Sequence, residues 1–358
     1  MNINCDIFCA VVDNLGDAGV CWRLARQLVR EHGWAVRLWI DDPQPLAGLR
    51  PGIDATLEHQ QADGVEVCRW RTPFIAVAPA QVVIEAFACA LPPDYVAAMA
   101  RQARAPVWLN LEYLSAEDWV VGCHGLASPH PTLPLVKHFF FPGFVAGTGG
   151  LIREADADFA APTGGAALTV SLFCYDNPAL PALLETWAAG GEDVVCRVAD
   201  GLARRQVAAW LGAEFAPGAT ARRGALALAA MPFVAQLQYD RVLGGCDLNF
   251  VRGEDSFVRA QWACKPLVWQ IYPQQDNAHR LKLAAFLARY TADIDGAVAA
   301  AVAGFWRAWN GEGAIAAAWP ALRTALPQLA AHAAPWAQGI AKPGNLAENL
   351  VRFCLERI

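Results

Sequence analysis

The sequence predicts an α/β protein of two domains, each a mostly parallel sheet wrapped by helices. Three observations carry that reading. Short apolar runs alternate with helical patterns through both halves of the chain. A strand, a Gly-containing turn and a helix open the chain, as in the first βα unit of a doubly wound domain. The chain has 358 residues, more than a usual single core, so two domains are expected.

In the first half, strands are expected over residues 6–12, 35–40, 65–68, 81–84, 107–109 and 137–140. Helices are expected over 20–32, 92–104 and 115–119. The composition turns to Gly, Ala, Thr and Pro around 142–166, which reads as a linker. A second α/β rhythm follows. Its strands are expected over 167–173, 193–198, 225–230, 248–251 and 267–270. Its helices are expected over 179–189, 202–211 and 256–263, with a helix end at 239–244. Helical patterns dominate after residue 276. The expected division is a first domain over 1–150 and a second over 151–344. A terminal helix over 345–358 is expected to cross back to the first.

Bulk composition narrows the function classes. A 55% hydrophobic fraction with 14 Trp and 16 Phe is enough for two cores, so the chain is not disordered. A net charge of −6 argues against a general nucleic-acid binder, which needs a basic footprint. Eleven cysteines, with no C-x-x-C and no zinc-finger spacing, read as core thiols in a reducing cytoplasm. The longest apolar stretch, 74–91, is broken by Glu85 and reads as a strand and helix, not a membrane span. No signal peptide is visible, because Asp6 and Asp13 interrupt the first apolar run.

Two tracts carry chemistry. The first is Asp13-Asn14-Leu15-Gly16-Asp17, on the turn between the first strand and helix. It lacks the G-x-G-x-x-G spacing of a dinucleotide fold and puts two carboxylates at its crest. On spacing alone, Asp13 reads as a helix cap and Asp17 as a first-turn carboxylate favoured by the dipole. The second is Arg252-Gly253-Glu254-Asp255-Ser256, where an apolar strand breaks at a Gly and restarts as a helix. Backbone N–H groups at a helix start favour phosphate, and Arg252 and Ser256 add a cation and a hydroxyl. A capped helix start on a solvated face is the competing reading. Asp156-Ala157-Asp158 spells D-x-D but has no strand before it, so it reads as chance. His124, His130 and His138 do not share a helical face, so no metal site is expected there. No Walker A or G-x-S-x-G tract is present.

Both tracts, with L-W-I-D-D from Leu38, V-V-I-E-A-F-A-C from Val82, W-L-N-L-E-Y-L-S-A-E from Trp108, G-G-L-I-R-E from Gly149, M-P-F-V from Met231 and P-Q-Q-D-N-A-H from Pro273, span nearly the whole chain in order. In them the chain resembles the elongation factor P maturation arginine rhamnosyltransferases (EarP). The resemblance implies a GT-B glycosyltransferase fold, two Rossmann-like domains facing across a cleft. It also implies an inverting, metal-independent transfer of L-rhamnose from dTDP-β-L-rhamnose to an arginine of elongation factor P, which activates the factor. No cofactor, nucleic acid or membrane is implied. Asp17 matches the general base, and Asp13 would hold the rest of the guanidinium fork. Asn14 and Gly16, in the same turn, are expected to bind substrate. Glu254 would orient the sugar or the acceptor guanidinium.

On the donor side, the resemblance places the diphosphate on the Asp255 and Ser256 backbone N–H groups and the Ser256 hydroxyl. Gly253 would form the turn and Arg252 would neutralise leaving-group charge. Phe173 and Tyr175 become walls of the nucleotide pocket, though aromatics after a strand are usually core. Gln236 matches a residue near the thymine, and Phe233 is expected among the substrate-binding residues. Ala235 stands where the family is expected to have Pro, and Gln238 is the alternative to Gln236. Tyr272 would touch the diphosphate. Two competing functions remain open: another nucleotide-sugar GT-B transferase with a different acceptor, and a non-catalytic α/β binding protein.

Overall fold

A computed structural model describes residues 3–13, 15–75, 77–159, 165–274 and 277–358. The chain forms two compact units: residues 1–156 with 340–358, and residues 157–339.

The first unit is built on eight strands among the described residues. They are β1 (Asn4–Cys9), β2 (Ala35–Ile40), β3 (His59–Ala62), β4 (Val65–Arg69), β5 (Val82–Ala86), β6 (Val107–Leu111), β7 (Ala127–Pro129) and β8 (Val136–Phe140). Their order is β3-β4-β2-β1-β5-β6-β8-β7. The six inner strands run parallel, and β3 and β7 pair antiparallel at the two edges. Helices α1 (Leu15–His32), α2 (Gln44–Leu49), α3 (Pro93–Ala100) and α4 (Trp119–Cys123) connect them. The chain steps from β1 outward to β2, then returns to β5 on the other side of β1. That reversal opens a crevice at the carboxyl ends of β1 and β5, where ligands bind in open α/β sheets.

Inner strands such as Val82–Ala86 are buried along their whole length, as parallel strands covered on both faces must be. One face packs on α1 through Leu24, Ala25 and Leu28. The other collects Phe8, Trp39, Val83, Tyr95 and Trp108. Asp6 is fully buried in β1, yet it is satisfied by Arg37 (2.6 and 2.7 Å), Trp39 Nε1, the Ala80 N–H and Tyr95 Oη. That set offsets the cost of burying a carboxylate.

The second unit has six strands among the described residues: β9 (Leu168–Leu172), β10 (Val194–Val198), β11 (Thr220–Arg223), β12 (Leu226–Ala230), β13 (Leu248–Arg252) and β14 (Leu267–Gln270). Their order is β11-β12-β10-β9-β13-β14, parallel except for β11. Its helices are α5 (Leu180–Ala188), α6 (Leu202–Leu211), α7 (Gln236–Gly244), α8 (Asp255–Trp262), α9 (Ala278–Tyr290), α10 (Gly296–Trp309) and α11 (Ile315–Ala341). Here the strand order reverses between β9 and β13. Aromatic contacts fill the core, with Phe257 stacked on Trp269 at 3.9 Å and Phe250 against Trp309 at 4.8 Å. Helix α11 leads out of this unit. The last helix, α12 (Leu346–Leu355), packs on α1 in the first unit and buries Leu346, Ala347, Leu350 and Cys354.

Two expectations are corrected. Strand β1 ends at Cys9 rather than residue 12, because the Val11 and Val12 N–H groups are taken by the carboxylates of Asp41 (2.9 Å) and Asp17 (2.8 Å). The helix expected at 115–119 lies instead at Trp119–Cys123, since Ser115 Oγ accepts the Glu117 N–H and holds a turn there. The Gly-rich stretch read as a linker contains the change of unit after Asp156, and its first part is packed. Phe144, Leu151 and Ile152 are buried, and the Gly149 N–H donates to Phe141 O at 2.7 Å. Its later part, 160–164, lies outside the described residues.

Candidate functional site

The carboxyl end of β1 carries the first group. The chain leaves the sheet at Cys9, and α1 starts at Leu15. Asp17, in the first turn of α1, is buried at 2% exposure. Its Oδ2 accepts both the Val12 and the Asp13 N–H, each at 2.8 Å. A first-turn side chain therefore folds back and satisfies the loop that precedes it. Burial raises the Asp17 pKa; the two backbone bonds oppose the rise, and the nearby Asp41 carboxylate adds to it. Gly16 donates its N–H to Asp13 O at 2.6 Å. A Cβ on Gly16 would stand 2.5 Å from Asp13 Oδ2, so any side chain there displaces the Asp13 carboxylate. Asp13 is half-buried beside it. Asn14 lies outside the described residues. A cavity of about 460 Å³ opens beside this turn, lined by Val11, Val12, Leu15, Asp42 and the start of α2.

The carboxyl ends of β9 and β13 carry the second group. The Arg252 guanidinium lies over the rings of Phe173 (4.5 Å) and Tyr175 (4.4 Å), a cation–π pairing with both. Tyr272 meets Tyr175 edge-on at 5.5 Å. The Tyr175 N–H is fixed by Gln270 Oε1 at 2.8 Å. Gly253 has φ +55°, which turns the chain from β13 into α8, and its carbonyl accepts from Trp269 Nε1 at 2.7 Å. Glu254 is half-buried at the N-cap of α8. The Ser256 hydroxyl accepts the Arg252 N–H (3.0 Å) and donates to Arg252 O (2.5 Å), so it closes the turn itself.

Asp255 points its carboxylate inward. Oδ2 accepts from Gln236 Nε2 at 2.9 Å and lies 3.7 Å from Arg259 Nε. Arg259 in turn binds Asp240 at 2.7 Å, and both are buried. The Asp255 charge is therefore compensated inside the unit rather than presented at the helix start. Phe233 is 48% exposed.

The structure thus brings together Asp13, Gly16 and Asp17 in one turn. It brings Phe173, Tyr175, Arg252 and Tyr272 together in an aromatic–cation cluster, and Gln236 with Asp255. Asp240, Arg259, Trp269 and Gln270 were not foreseen. For Arg259 a signal existed, its place four residues after Asp255 on one helix; the contact with Asp240 is long-range and had none. The histidines weighed earlier have structural work. His124 Nδ1 accepts the Phe141 N–H, His130 Nδ1 accepts from Thr132 and Leu133, and His138 packs on Phe353. The D-x-D carboxylates are both ion-paired, Asp156 with Arg26 and Arg30, Asp158 with Arg241. No helix is long and apolar enough to cross a membrane among the described residues.

Comparison with known proteins places this geometry. The family described as Elongation-Factor P (EF-P) rhamnosyltransferase EarP matches residues 5–355. The protein-arginine rhamnosyltransferase of Pseudomonas putida is 48% identical over 99% of both chains. A solved structure for EarP-mediated arginine glycosylation of translation elongation factor EF-P aligns over the whole of both chains, with TM-score 0.68 and 33% identity. The calicheamicin glycosyltransferase CalG4 aligns over both whole chains with TM-score 0.55 at 13% identity, a likeness of fold alone. That fold is GT-B, with a Rossmann-like sheet in each unit. The chain belongs to the EarP family of elongation factor P rhamnosyltransferases.

Proposed function

We propose that this chain is an inverting protein-arginine rhamnosyltransferase. It moves L-rhamnose from dTDP-β-L-rhamnose to an arginine side chain of elongation factor P. The observation that carries the reading is Asp17: a buried carboxylate of raised proton affinity, held by two backbone N–H groups at the crevice of a Rossmann-like sheet. An arginine guanidinium stays protonated far above neutral pH and is a poor nucleophile while charged. A carboxylate beside it binds the fork and receives a proton as the bond forms. Both backbone bonds use Oδ2, so Oδ1 is the atom assigned to the proton. Asp13 holds the remaining guanidinium N–H groups.

In the transfer, a guanidine nitrogen forms a bond to the anomeric carbon. The carbon–oxygen bond to the diphosphate breaks, and dTDP leaves with the electron pair. The second unit holds the donor. Phe173, Tyr175 and Tyr272 wall the nucleotide, with Phe233 and Gln236 on the base side. The Asp255 and Ser256 N–H groups face the diphosphate, and Glu254 orients the sugar. Arg252 supplies the positive charge that a metal supplies elsewhere, so the reaction is metal-independent. All eleven cysteines are thiols, which supports a cytoplasmic setting.

The test is the intact mass of elongation factor P after incubation with this protein and dTDP-β-L-rhamnose in EDTA. One added deoxyhexose on an arginine is expected. An unmodified factor at saturating donor sinks the reading. In that case dTDP affinity, and competition by UDP- and GDP-sugars, separates another transferase from a binding protein.

A further inference from the structure

Two tracts of the first unit take no part in the chemistry proposed above: Val82–Cys89 and Trp108–Glu117. The structure joins them at one point. The rings of Phe87 and Tyr113 stack at 4.5 Å with only 16° between their planes. Phe87 follows the carboxyl end of β5, and Tyr113 follows that of β6.

The stack is held in place at some cost. Phe87, Ala88 and Ala90 have φ of 57°, 54° and 53°, in the left-handed region that non-glycine residues avoid. Such a turn persists only where its surroundings over-determine it. Here the Phe87 N–H donates to Leu111 O at 2.7 Å, and the Ala88 N–H to Asn110 Oδ1 at 3.1 Å. Asn110 is buried, and its Nδ2 donates to Glu112 Oε1 at 2.5 Å, so one side chain ties both loops.

Its position gives the stack a use. β1 and β5 are parallel neighbours with Phe8 opposite Glu85. Two residues on, Phe87 packs against the same core cluster as Val11 and Leu15, which flank Asp13. This is the switch point of the sheet. Its β1 side carries Asp13 and Asp17, and its β5 side carries the aromatic stack, with Glu112 beyond. Carboxylates after one strand and an aromatic pair after its parallel neighbour are the two kinds of group that take the edge and the face of a planar cation.

We propose that the Phe87–Tyr113 stack is the platform for the acceptor arginine, taking the flat face of its guanidinium while Asp13 and Asp17 take the edge. The stack supplies orientation, and Asn110 is the positioning residue that fixes it. The inference rests on the functional reading above and adds the group that selects a guanidinium over a lysine ammonium at the same carboxylates.

The experiment is steady-state transfer with elongation factor P varied at saturating dTDP-β-L-rhamnose, for wild type, Phe87→Leu, Tyr113→Leu and Tyr113→Phe. A lost cation–π contact raises the acceptor KM by about 3- to 30-fold in both leucine variants. dTDP affinity stays at the wild-type value, and Tyr113→Phe returns KM to within about twofold. An acceptor KM within twofold of wild type in Tyr113→Leu, with donor affinity intact, overturns the platform. So does an equal rise in Tyr113→Phe. If Phe87→Leu does not fold, the two Tyr113 variants decide alone. Wild-type protein that transfers nothing removes the functional reading itself, a failure visible before any variant is compared.

Discussion

Replacing Asp17 by Asn separates chemistry from architecture at one atom. The Asn side-chain oxygen can accept the Val12 and Asp13 N–H bonds that Oδ2 accepts at 2.8 Å, so the turn survives. What is lost is the negative charge and the proton acceptor. General-base catalysis contributes about 10²–10⁴-fold, so kcat should fall by that factor, about 2.7–5.4 kcal/mol of barrier. Stability should move the other way. Burial raises the Asp17 pKa in the folded chain, so its ionised form costs folding free energy. The stabilising contribution is present below the unfolded pKa and is lost as pH rises through the folded one. The variant should therefore match or exceed the wild-type Tm near neutral pH, and that advantage should vanish below about pH 4. The wild-type kcat should show an acid limb above the ordinary carboxylate range, absent from the variant. Single-turnover transfer, dTDP titration and thermal melts measure all three. Turnover within threefold of wild type refutes Asp17 as the base, and a lost turnover with a Tm drop of several degrees refutes the claim that only chemistry was removed.

Other outcomes follow from single contacts. Arg252→Met should lower kcat by about 10²–10³-fold if Arg252 neutralises the leaving group, and rate measurements with and without EDTA and Mg²⁺ should be the same for wild type. Gly16→Ala places a Cβ 2.5 Å from Asp13 Oδ2, so transfer should fall about 10- to 100-fold with dTDP affinity unchanged, read by paired kinetics and calorimetry. Arg23 and Glu154 form a two-pronged pair (2.5 and 2.7 Å) with both side chains at most 3% exposed. Glu154→Ala strands the guanidinium and should cost about 3–5 kcal/mol, a Tm drop of roughly 6–20 °C by calorimetry.

The strands were legible wherever burial on both faces leaves unbroken apolar runs, and β2, α6 and β14 have the bounds their pattern predicts. Reading failed where backbone hydrogen bonds go to side chains. Val11 and Val12 look like strand residues, but Asp41 and Asp17 take their N–H groups. It failed too for the edge strands β3 and β7, whose sequences His-Gln-Gln-Ala and Ala-Ser-Pro lack alternating apolar residues. The glycines at 149 and 150 look like linker but serve close packing: a Cβ on Gly150 would meet Gly344 O at 2.3 Å. At the donor tract the elements were legible and the side-chain partners were not. Nothing local announces that the Ser256 hydroxyl closes on Arg252, or that Gln236 reaches Asp255 from another helix.

The return of α12 to α1 has a consequence for synthesis. Asn349 Nδ2 donates to Gly149 O at 3.0 Å, and the Leu346 N–H to Leu151 O at 3.0 Å, so the first unit is sealed by residues made some two hundred positions later. On the ribosome the second unit emerges whole while α1 still lacks its cover. Contacts of such long sequence separation form late. The interval leaves an apolar stripe of α1, Cys21 and Leu28 included, waiting for Leu350 and Cys354. A stop codon before residue 346 should therefore yield a chain whose second unit is intact and whose first invites chaperones and proteases.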